Sequence, residues 1–431
     1  MPNKNRSSAL WQTASTLIPK GTHSDSRWTE PHPLYLERAD GAYLWDVDGN
    51  RWLDCIMGNG AVILGHGAPA VNEAVQRALS QGLGAGYETD WSVRAASQLH
   101  QLVPGVERVR FANTGTEAVM HALIAARAKT GRDRIAKPEG SYHGWYDFVF
   151  VSAWAAPDRL GSATAPAAPP GSVGLSAHAA NTVVVPFNDL EATERLLRAH
   201  QAELAAFILE PTLIDVGYIP ATQAYLQGVR QLTQELGIVL IFDELLTGFR
   251  LPGNSAAAFY KVEPDLTLYG KAIGNGQIVA AVAGKADLFE QTPAPTYVGT
   301  FNSHAVSMAA VCATLEVLAD TQVLARLDGL SDLLGSGIGD LGKRYDLPVQ
   351  FQGRGGHFHI YFNVSPVVDY RTAQASSAEK YTILARQLQS DGILIAGKYL
   401  LHSALSYAHS EADIEHILTS AERAFKQMRK G

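Results

Sequence analysis

Five short clusters in the chain carry residues able to do chemistry on a small molecule: Asn113-Thr114-Gly115-Thr116-Glu117-Ala118, Ser141-Tyr142-His143-Gly144, Glu210-Pro211, Phe242-Asp243-Glu244-Leu245 and Tyr269-Gly270-Lys271. Gly115 and Thr116 fall between a strand pattern and a helix pattern, where free backbone N–H groups and the positive end of the helix dipole bind a phosphate. Asp243 ends the apolar run Ile238-Val239-Leu240-Ile241-Phe242, at the carboxyl end of a buried strand, where α/β sheets gather their ligand sites. A carboxylate there needs a cationic partner, and a protonated ring nitrogen would serve. Leu245, two residues on, points to the same side of an extended chain and can pack on the face of such a ring. The plainer alternative is an N-cap aspartate followed by a core leucine. Lys271 follows Leu266-Thr267-Leu268-Tyr269 and precedes the small-residue stretch Ala272-Ile273-Gly274-Asn275-Gly276. Desolvation and neighbouring cations lower a lysine pKa and make its amine a nucleophile able to form a Schiff base. A snorkelling surface lysine is the alternative. Together the five clusters read as parts of one cofactor site.

Other short matches fail on context. Gly337-Ile338-Gly339-Asp340-Leu341-Gly342-Lys343 fits the phosphate-loop spacing, but Arg344 stands where a Mg²⁺-binding Ser or Thr is needed, and the stretch lies in a helical pattern. His357 and His359, two apart on an expected strand, could share a face toward a metal, yet no third ligand stands at a recognised spacing, so a packed or surface pair and no metal are expected. The absence of GxSxG, HExxH and strand-linked GxGxxG leaves hydrolase, zincin and Rossmann readings without support.

The elements that must position these clusters follow from length and pattern. At 431 residues, roughly 150 per domain gives about three domains, or two with one large α/β unit. Charged residues make up 18% and hydrophobic residues 46%, against about 25% charged in an average soluble protein, which argues against a disordered or charge-driven binder. The low charge also points to extra buried surface, such as a subunit interface. A net charge of −7 (35 basic against 42 acidic residues), with no long Lys or Arg run, makes nucleic acid an unexpected partner. The two cysteines, Cys55 and Cys312, are too far apart for a CxxC site and fit a reducing cytoplasm. No stretch approaches the ~18 apolar residues of a membrane span, and the first residues lack a signal-peptide core, so a cytoplasmic chain with no membrane partner is expected.

From residue 107 to 285, β-rich apolar runs alternate with amphipathic segments, which predicts a parallel sheet with crossover helices. Strands are predicted over 108–111, 182–186, 205–210, 238–243 and 278–282, and helices over 116–129 and 223–235, the second stopped by Gly237. Residues 152–180, rich in Ala, Pro, Gly and Ser, read as a long surface loop and a candidate lid. Residues 44–53 read as a hairpin turning at Asp48-Gly49-Asn50. A long helical stretch from Ser307, strands near 349–362 and a final helix over 412–428 complete the chain. The two ends are expected to form one smaller domain, with boundaries at 1–58, 59–318 and 319–431.

With Ile18-Pro19-Lys20-Gly21, Gly41-Ala42-Tyr43-Leu44-Trp45-Asp46-Val47-Asp48-Gly49, Gly65-His66, Pro186-Phe187-Asn188-Asp189-Leu190, the run from Ile241 through Asp243-Glu244-Leu245-Leu246-Thr247-Gly248-Phe249-Arg250, Pro264-Asp265-Leu266 and Gly299-Thr300-Phe301-Asn302, the chain resembles the class III aminotransferases. These are pyridoxal 5′-phosphate (PLP) enzymes of fold type I, and the resemblance is to the branch containing glutamate-1-semialdehyde 2,1-aminomutase. It spans nearly the whole chain. It implies an α/β fold with a large, mostly parallel-sheet domain and a smaller α+β domain from both chain ends.

The resemblance also implies roles. Lys271 would carry the cofactor as a Schiff base, Asp243 would keep the pyridine nitrogen protonated, and Tyr142 and Leu245 would cover opposite ring faces. Gly115 and Thr116 would hold the phosphate, Glu210 would line the ring's hydroxyl side, and His143 would belong to the same cofactor shell. Thr300 would reach the phosphate of a neighbouring subunit, which implies a homodimer with shared sites. Arg27 matches a carboxylate-binding arginine of the mutase branch, with a brace for the N-terminal segment as the alternative. Asn59 replaces an aromatic residue of the mutases and Leu401 an acidic one, and 396–402 holds no match for the second arginine of many relatives. Both replacements speak against glutamate-1-semialdehyde. The implied activity is amino transfer between a small amino acid or amine and a keto acid or aldehyde. An aminomutase, or a non-catalytic PLP-binding regulatory protein, is the alternative, the intact Lys271, Asp243 and Tyr142 weighing against the latter.

Overall fold

The computed structural model describes residues 5–293 and 297–429. A seven-stranded sheet forms its centre, in the order Arg108–Ala112, Ala280–Gly284, Leu266–Gly270, Val239–Asp243, Leu204–Leu209, Arg134–Pro138, Thr182–Val185. The last five neighbours pair in parallel. Ala280–Gly284 runs antiparallel to both of its neighbours. The reason is chain length: only residues 271–279 separate it from Leu266–Gly270, too few for the dozen or more residues of a crossover. The strand also starts two residues later than its sequence suggests, because Ile278 is 71% exposed and lies outside it.

Strands buried on both faces must be apolar throughout. Leu204–Leu209 and Val239–Asp243 are buried at every position, including the terminal Asp243. Helices cover the sheet, and local signals fix their ends. Gly115–Thr130 begins where Thr114 accepts the Glu117 N–H and ends at Gly131, whose φ of 66° suits a residue without a side chain. Gln223–Leu236 begins on Thr222 in the same way and stops at Gly237, as the sequence predicts. Helix Ala305–Leu318 is buried over most of its length.

The two chain ends meet in space. Leu36–Asp40, Tyr43–Asp46 and Arg51–Asp54 form a sheet completed by Ile393–Leu394, which pairs in parallel with Arg51–Asp54. The hairpin turn is built on Asp46, whose carboxylate accepts from the N–H groups of Asp48 and Asn50 and from the Trp52 indole. A second small sheet holds Gln350–Arg354, His357–Tyr361 and Ser403–Ala404, flanked by the long helix Thr321–Tyr345 and the last helix Glu411–Met428. Gly337 to Lys343 lies inside that long helix, so its spacing makes no phosphate loop. No single helix among the described residues is long and apolar enough to cross a membrane.

Residues 152–180 are more structured than a surface loop. They contain a turn at Pro157–Arg159, a small hairpin of Gly161–Ser162 with Ala165–Pro166, and a short helix Ser176–Ala179. Ala153, Ala155 and Leu160 are buried. Tyr370 and Gln374 donate to the Ala155 carbonyl at 2.9 and 2.8 Å, and Arg371 donates to the Leu160, Gly161 and Ser162 carbonyls. Low-complexity composition concealed this docking, because the anchors lie two hundred residues away in sequence.

Candidate active site

Each of the five chemical clusters stands at or just beyond the carboxyl end of a sheet strand. Gly115 opens the helix after Arg108–Ala112, and Tyr142 and His143 follow Arg134–Pro138. Glu210 follows Leu204–Leu209, Asp243 ends Val239–Asp243, and Lys271 follows Leu266–Gly270. They converge on a cavity of about 350 Å³ whose wall includes Gly115, Thr116, Tyr142, Glu210, Asp243, Leu245 and Lys271.

Asp243 is fixed from behind. Its Oδ2 lies 2.7 Å from His143 Nδ1, and its Oδ1 accepts the Leu245 N–H at 3.1 Å. Both side chains are buried. Burial holds His143 below the usual imidazole range against the pull of Asp243. The carboxylate can only accept, so Nδ1 carries the hydrogen and donates, while Nε2 sits 3.1 Å from Ser141 Oγ. Glu210 accepts the N–H groups of Tyr142 and Ile214 at 2.9 and 3.1 Å. Burial first, then Asp215 and Asp243, push its carboxyl well above the usual range.

Leu245 forms a wedge under the cavity. A Cβ at Gly115 or Gly270 would stand 2.5 or 2.6 Å from one of its methyl carbons, so both glycines are required for that packing. A Cβ at Gly144 would stand 2.3 Å from Thr116 Oγ1, which accepts the Trp145 N–H at 3.3 Å. Lys271 adopts a left-handed φ of 46° as it leaves the sheet, a conformation that β-carbon crowding disfavours and that occurs at sites where a side chain must be aimed. Tyr142 stacks on Trp154 with centroids 4.6 Å apart and planes at 25°.

Three expected residues lie elsewhere. Arg27, Asn59 and Thr300 are exposed and do not line this chain's cavity. Asn59 sits on a tight turn with φ 54°. Arg27 closes the turn Asp25–Arg27, where Asp25 pairs with Lys20 at 3.0 Å. Sequence reasoning also passed over several residues that belong to the site. Asp215 and Thr212 line the cavity, and Thr212 Oγ1 is buried without a partner among the described residues. Trp154 comes from the low-complexity segment. Lys137 is fully buried and donates to the carbonyls of Ser141, Val149 and Val151 at 2.7, 3.1 and 2.5 Å, stapling the loop that carries Tyr142 and His143. Burial pulls its ammonium down to about 7. The position of Asp215 four residues past Glu210-Pro211 was the one signal available for it.

The donor set suits PLP. A helix N-terminus with bare N–H groups and the Thr116 hydroxyl fits a phosphate. A buried carboxylate backed by a neutral imidazole fits a protonated ring nitrogen. The Leu245 wedge fits a flat ring face, and Lys271 fits an aldehyde carbon.

Residues 24–425 match the family described as Aminotransferase class-III. The glutamate-1-semialdehyde 2,1-aminomutase of Symbiobacterium thermophilum is 38% identical over 431 residues, covering 98% of each chain, and that of Methanocella arvoryzae is 35% identical with the same coverage. Among solved structures, an omega-transaminase from Sphaerobacter thermophilus superposes with a TM-score of 0.92 at 36% identity, covering 98% of each chain. A transaminase with PLP bound superposes with a TM-score of 0.89 at 30% identity, covering 99% of each. The chain therefore belongs to the class III aminotransferases and is a PLP-dependent enzyme of fold type I.

Proposed function

We propose that this enzyme moves an amino group between a small amino acid or amine and a keto acid or aldehyde, with Lys271, Asp243 and Tyr142 as its catalytic residues. The observation that carries this reading is the convergence of Lys271 and the His143-backed Asp243 on one cavity. PLP, when bound, supplies an electron sink for the negative charge that develops at the substrate carbon. Lys271 Nζ would hold the cofactor and would take the proton from the substrate carbon. Asp243 keeps a proton on the ring nitrogen, and His143 keeps Asp243 oriented. Gly115 and Thr116 bind the phosphate, Leu245 and Tyr142 cover the ring faces, and Glu210, holding its own proton, lines the hydroxyl side.

The domain division at 58 and 318, a homodimer in which Thr300 serves the partner's phosphate, and a cytoplasmic location belong to the same reading. The exposure of Thr300 supports service outside its own cavity, and the large apolar side chains of Tyr87, Ile278, Val298 and Phe301, each exposed in the single chain, support burial against a second copy. Arg27 as the anchor of a substrate carboxylate, and Asn59 as a second substrate-binding residue, are assigned on the resemblance alone, since both stand outside this chain's own cavity. The names of the relatives favour a second reading, an aminomutase that isomerises one substrate without a separate keto acceptor. The deciding experiment follows the cofactor's absorbance while wild type and Lys271→Ala are offered a panel of amines and keto acids. Amine-dependent conversion, reversed by a keto acid and lost in Lys271→Ala, is expected. Conversion of glutamate-1-semialdehyde with no acceptor present selects the mutase, and a borohydride-trapped adduct on another lysine overturns the assignment of Lys271.

A further inference from the structure

Trp154 is held on an unfavourable backbone. Its φ is 50°, and Ser152, two residues before it, has a φ of 53°. A bulky side chain in the left-handed region is an outlier, and such residues persist only where the surrounding fold over-determines them. The fastening is present on both sides. The Ser152 N–H donates to the Pro169 carbonyl at 2.8 Å, and the Ser152 carbonyl accepts the Gly140 N–H at 3.1 Å. The Ala155 carbonyl accepts from Tyr370 and Gln374, and Ala153 and Ala155 are buried. Core burial does not account for the indole that these bonds present, because Trp154 is 41% exposed.

The strained backbone delivers two contacts. The indole stacks on Tyr142 with planes at 25°, and its Nε1 donates to the Asp215 carbonyl at 3.0 Å. Tyr142 and Asp215 both line the cavity, whereas Trp154 does not. The indole therefore stands behind the wall and ties two parts of it together, the loop after Arg134–Pro138 and the segment after Leu204–Leu209. With Trp154 on one face, Tyr142 has its other face for a ligand. Trp145 meets the same ring edge to face at 79°, and the Tyr142 N–H donates to Glu210 at 2.9 Å. Backbone, edge and rear face of Tyr142 are thus all fixed. A phenol ring backed by an indole cannot swing away from a ligand without breaking the stack.

We propose that Trp154 is a positioning residue that sets the plane of the Tyr142 ring against the cofactor, itself held in place by the Asp215 carbonyl. The inference rests on the assignment of Tyr142 to one face of the cofactor ring. Its test titrates PLP into the cofactor-free full chain as wild type, Trp154→Gly, Trp154→Phe, Tyr142→Ala and the double variant Tyr142→Ala/Trp154→Gly. The readouts are cofactor affinity, the visible circular dichroism of the bound cofactor and the melting temperature of each cofactor-free chain. Trp154→Gly should weaken PLP about tenfold and change its dichroism, through loss of the stack and the N–H donor. It should still melt within about 2 °C of wild type, because glycine adopts the left-handed backbone without strain. Trp154→Phe keeps an aromatic face without the donor and should recover part of the affinity and the dichroism. Because Trp154 acts through Tyr142, Trp154→Gly should add little in the Tyr142→Ala background. Wild-type affinity and dichroism in Trp154→Gly, or losses that simply add in the double variant, overturn the positioning role. So does a melting temperature that falls far below wild type in Trp154→Gly, which would make the indole a brace for the fold. If Tyr142→Ala itself changes neither affinity nor dichroism, the assignment of Tyr142 fails and the inference falls with it. An effect of Tyr142→Ala with none from Trp154→Gly removes Trp154 alone.

Discussion

His143 Nδ1 lies 2.7 Å from Asp243 Oδ2, and neither side chain reaches solvent. The imidazole is neutral, so it orients the carboxylate without cancelling its charge. All the negative charge on Asp243 remains available to a cation in the cavity. Had His143 been protonated, the pair would be internally satisfied and a ring nitrogen would find no counter-ion.

Asp243→Asn should therefore retain cofactor yet lose turnover. Leaving a buried charge unpartnered typically costs ~3–5 kcal/mol, which is hundreds- to thousands-fold in rate if expressed in the transition state. His143→Phe keeps the carboxylate but frees its Oδ2, and should cost less than Asp243→Asn while broadening the pH profile of the cofactor's absorbance. Near-normal turnover in Asp243→Asn would remove Asp243 from the mechanism.

Most of this site was legible because chemistry and pattern coincide at strand ends. The apolar run before Asp243 can only be a buried strand, and a carboxylate closing such a run demands a ligand or a partner. Gly115, Thr116, Glu210, Leu245 and Lys271 could be read the same way, and the structure gathers them around one cavity. Contacts between distant segments were not legible. Nothing near Lys137 announces three carbonyls converging on it, and nothing in 152–180 announces the anchors on Tyr370, Arg371 and Gln374. The antiparallel strand Ala280–Gly284 was hidden for another reason: an apolar run has no direction, and only the length of its connection decides it.

Lys137 spends its three N–H groups on three carbonyls of one loop. Lys137→Met preserves the stem but leaves those carbonyls without their donor, at ~1–3 kcal/mol for each that finds no water. The variant should lose several kcal/mol of stability and bind PLP more weakly, with Trp145 and Trp154 fluorescence altered because Trp154 stacks on Tyr142 and Trp145 meets it edge to face. Unchanged cofactor affinity alongside reduced stability would confine Lys137 to the core.

Arg27 offers two parallel donors to a planar carboxylate. Arg27→Ala should weaken carboxylated donors by ~1.5–3 kcal/mol and leave simple amines nearly untouched. Equal loss for both, measured as kcat/KM, would make Arg27 a brace for the N-terminal segment.

Thr300 is exposed in its own chain, and the shared-site reading turns that into a complementation test. Mixing inactive Lys271→Ala and Thr300→Ala chains should recover part of the activity, because one site of each mixed dimer has both residues intact. Absence of recovery after verified subunit exchange, or full activity in a monomer, counts against a shared site.

Acid should unfold this protein through its buried histidines, and His359 allows the sign to be tested away from the catalytic cavity. Burial pulls its imidazole from the ordinary 6.5 to about 3, while its bond to the Leu401 carbonyl at 3.0 Å pulls the other way. The folded chain thus keeps His359 neutral at a pH where the unfolded chain binds a proton. Stability is fully present above about 6.5 and falls as pH drops toward about 3, with a slope of about 1.4 kcal/mol per pH unit for one proton. His359→Phe preserves stacking on Tyr381, whose ring lies 5.0 Å away at 21°, but strips the Leu401 carbonyl of its donor, costing ~1–3 kcal/mol at neutral pH. His357, His402 and His409 are shifted in the same direction and act equally on both proteins. Urea unfolding of wild type and His359→Phe between pH 7 and pH 4 should then give curves that start apart and converge as the pH falls, because the variant lacks one of the protons that unfolding takes up. Parallel curves would mean that His359 is already protonated in the folded chain, with both ring nitrogens donating and the carbonyl of Leu401 bound to an imidazolium.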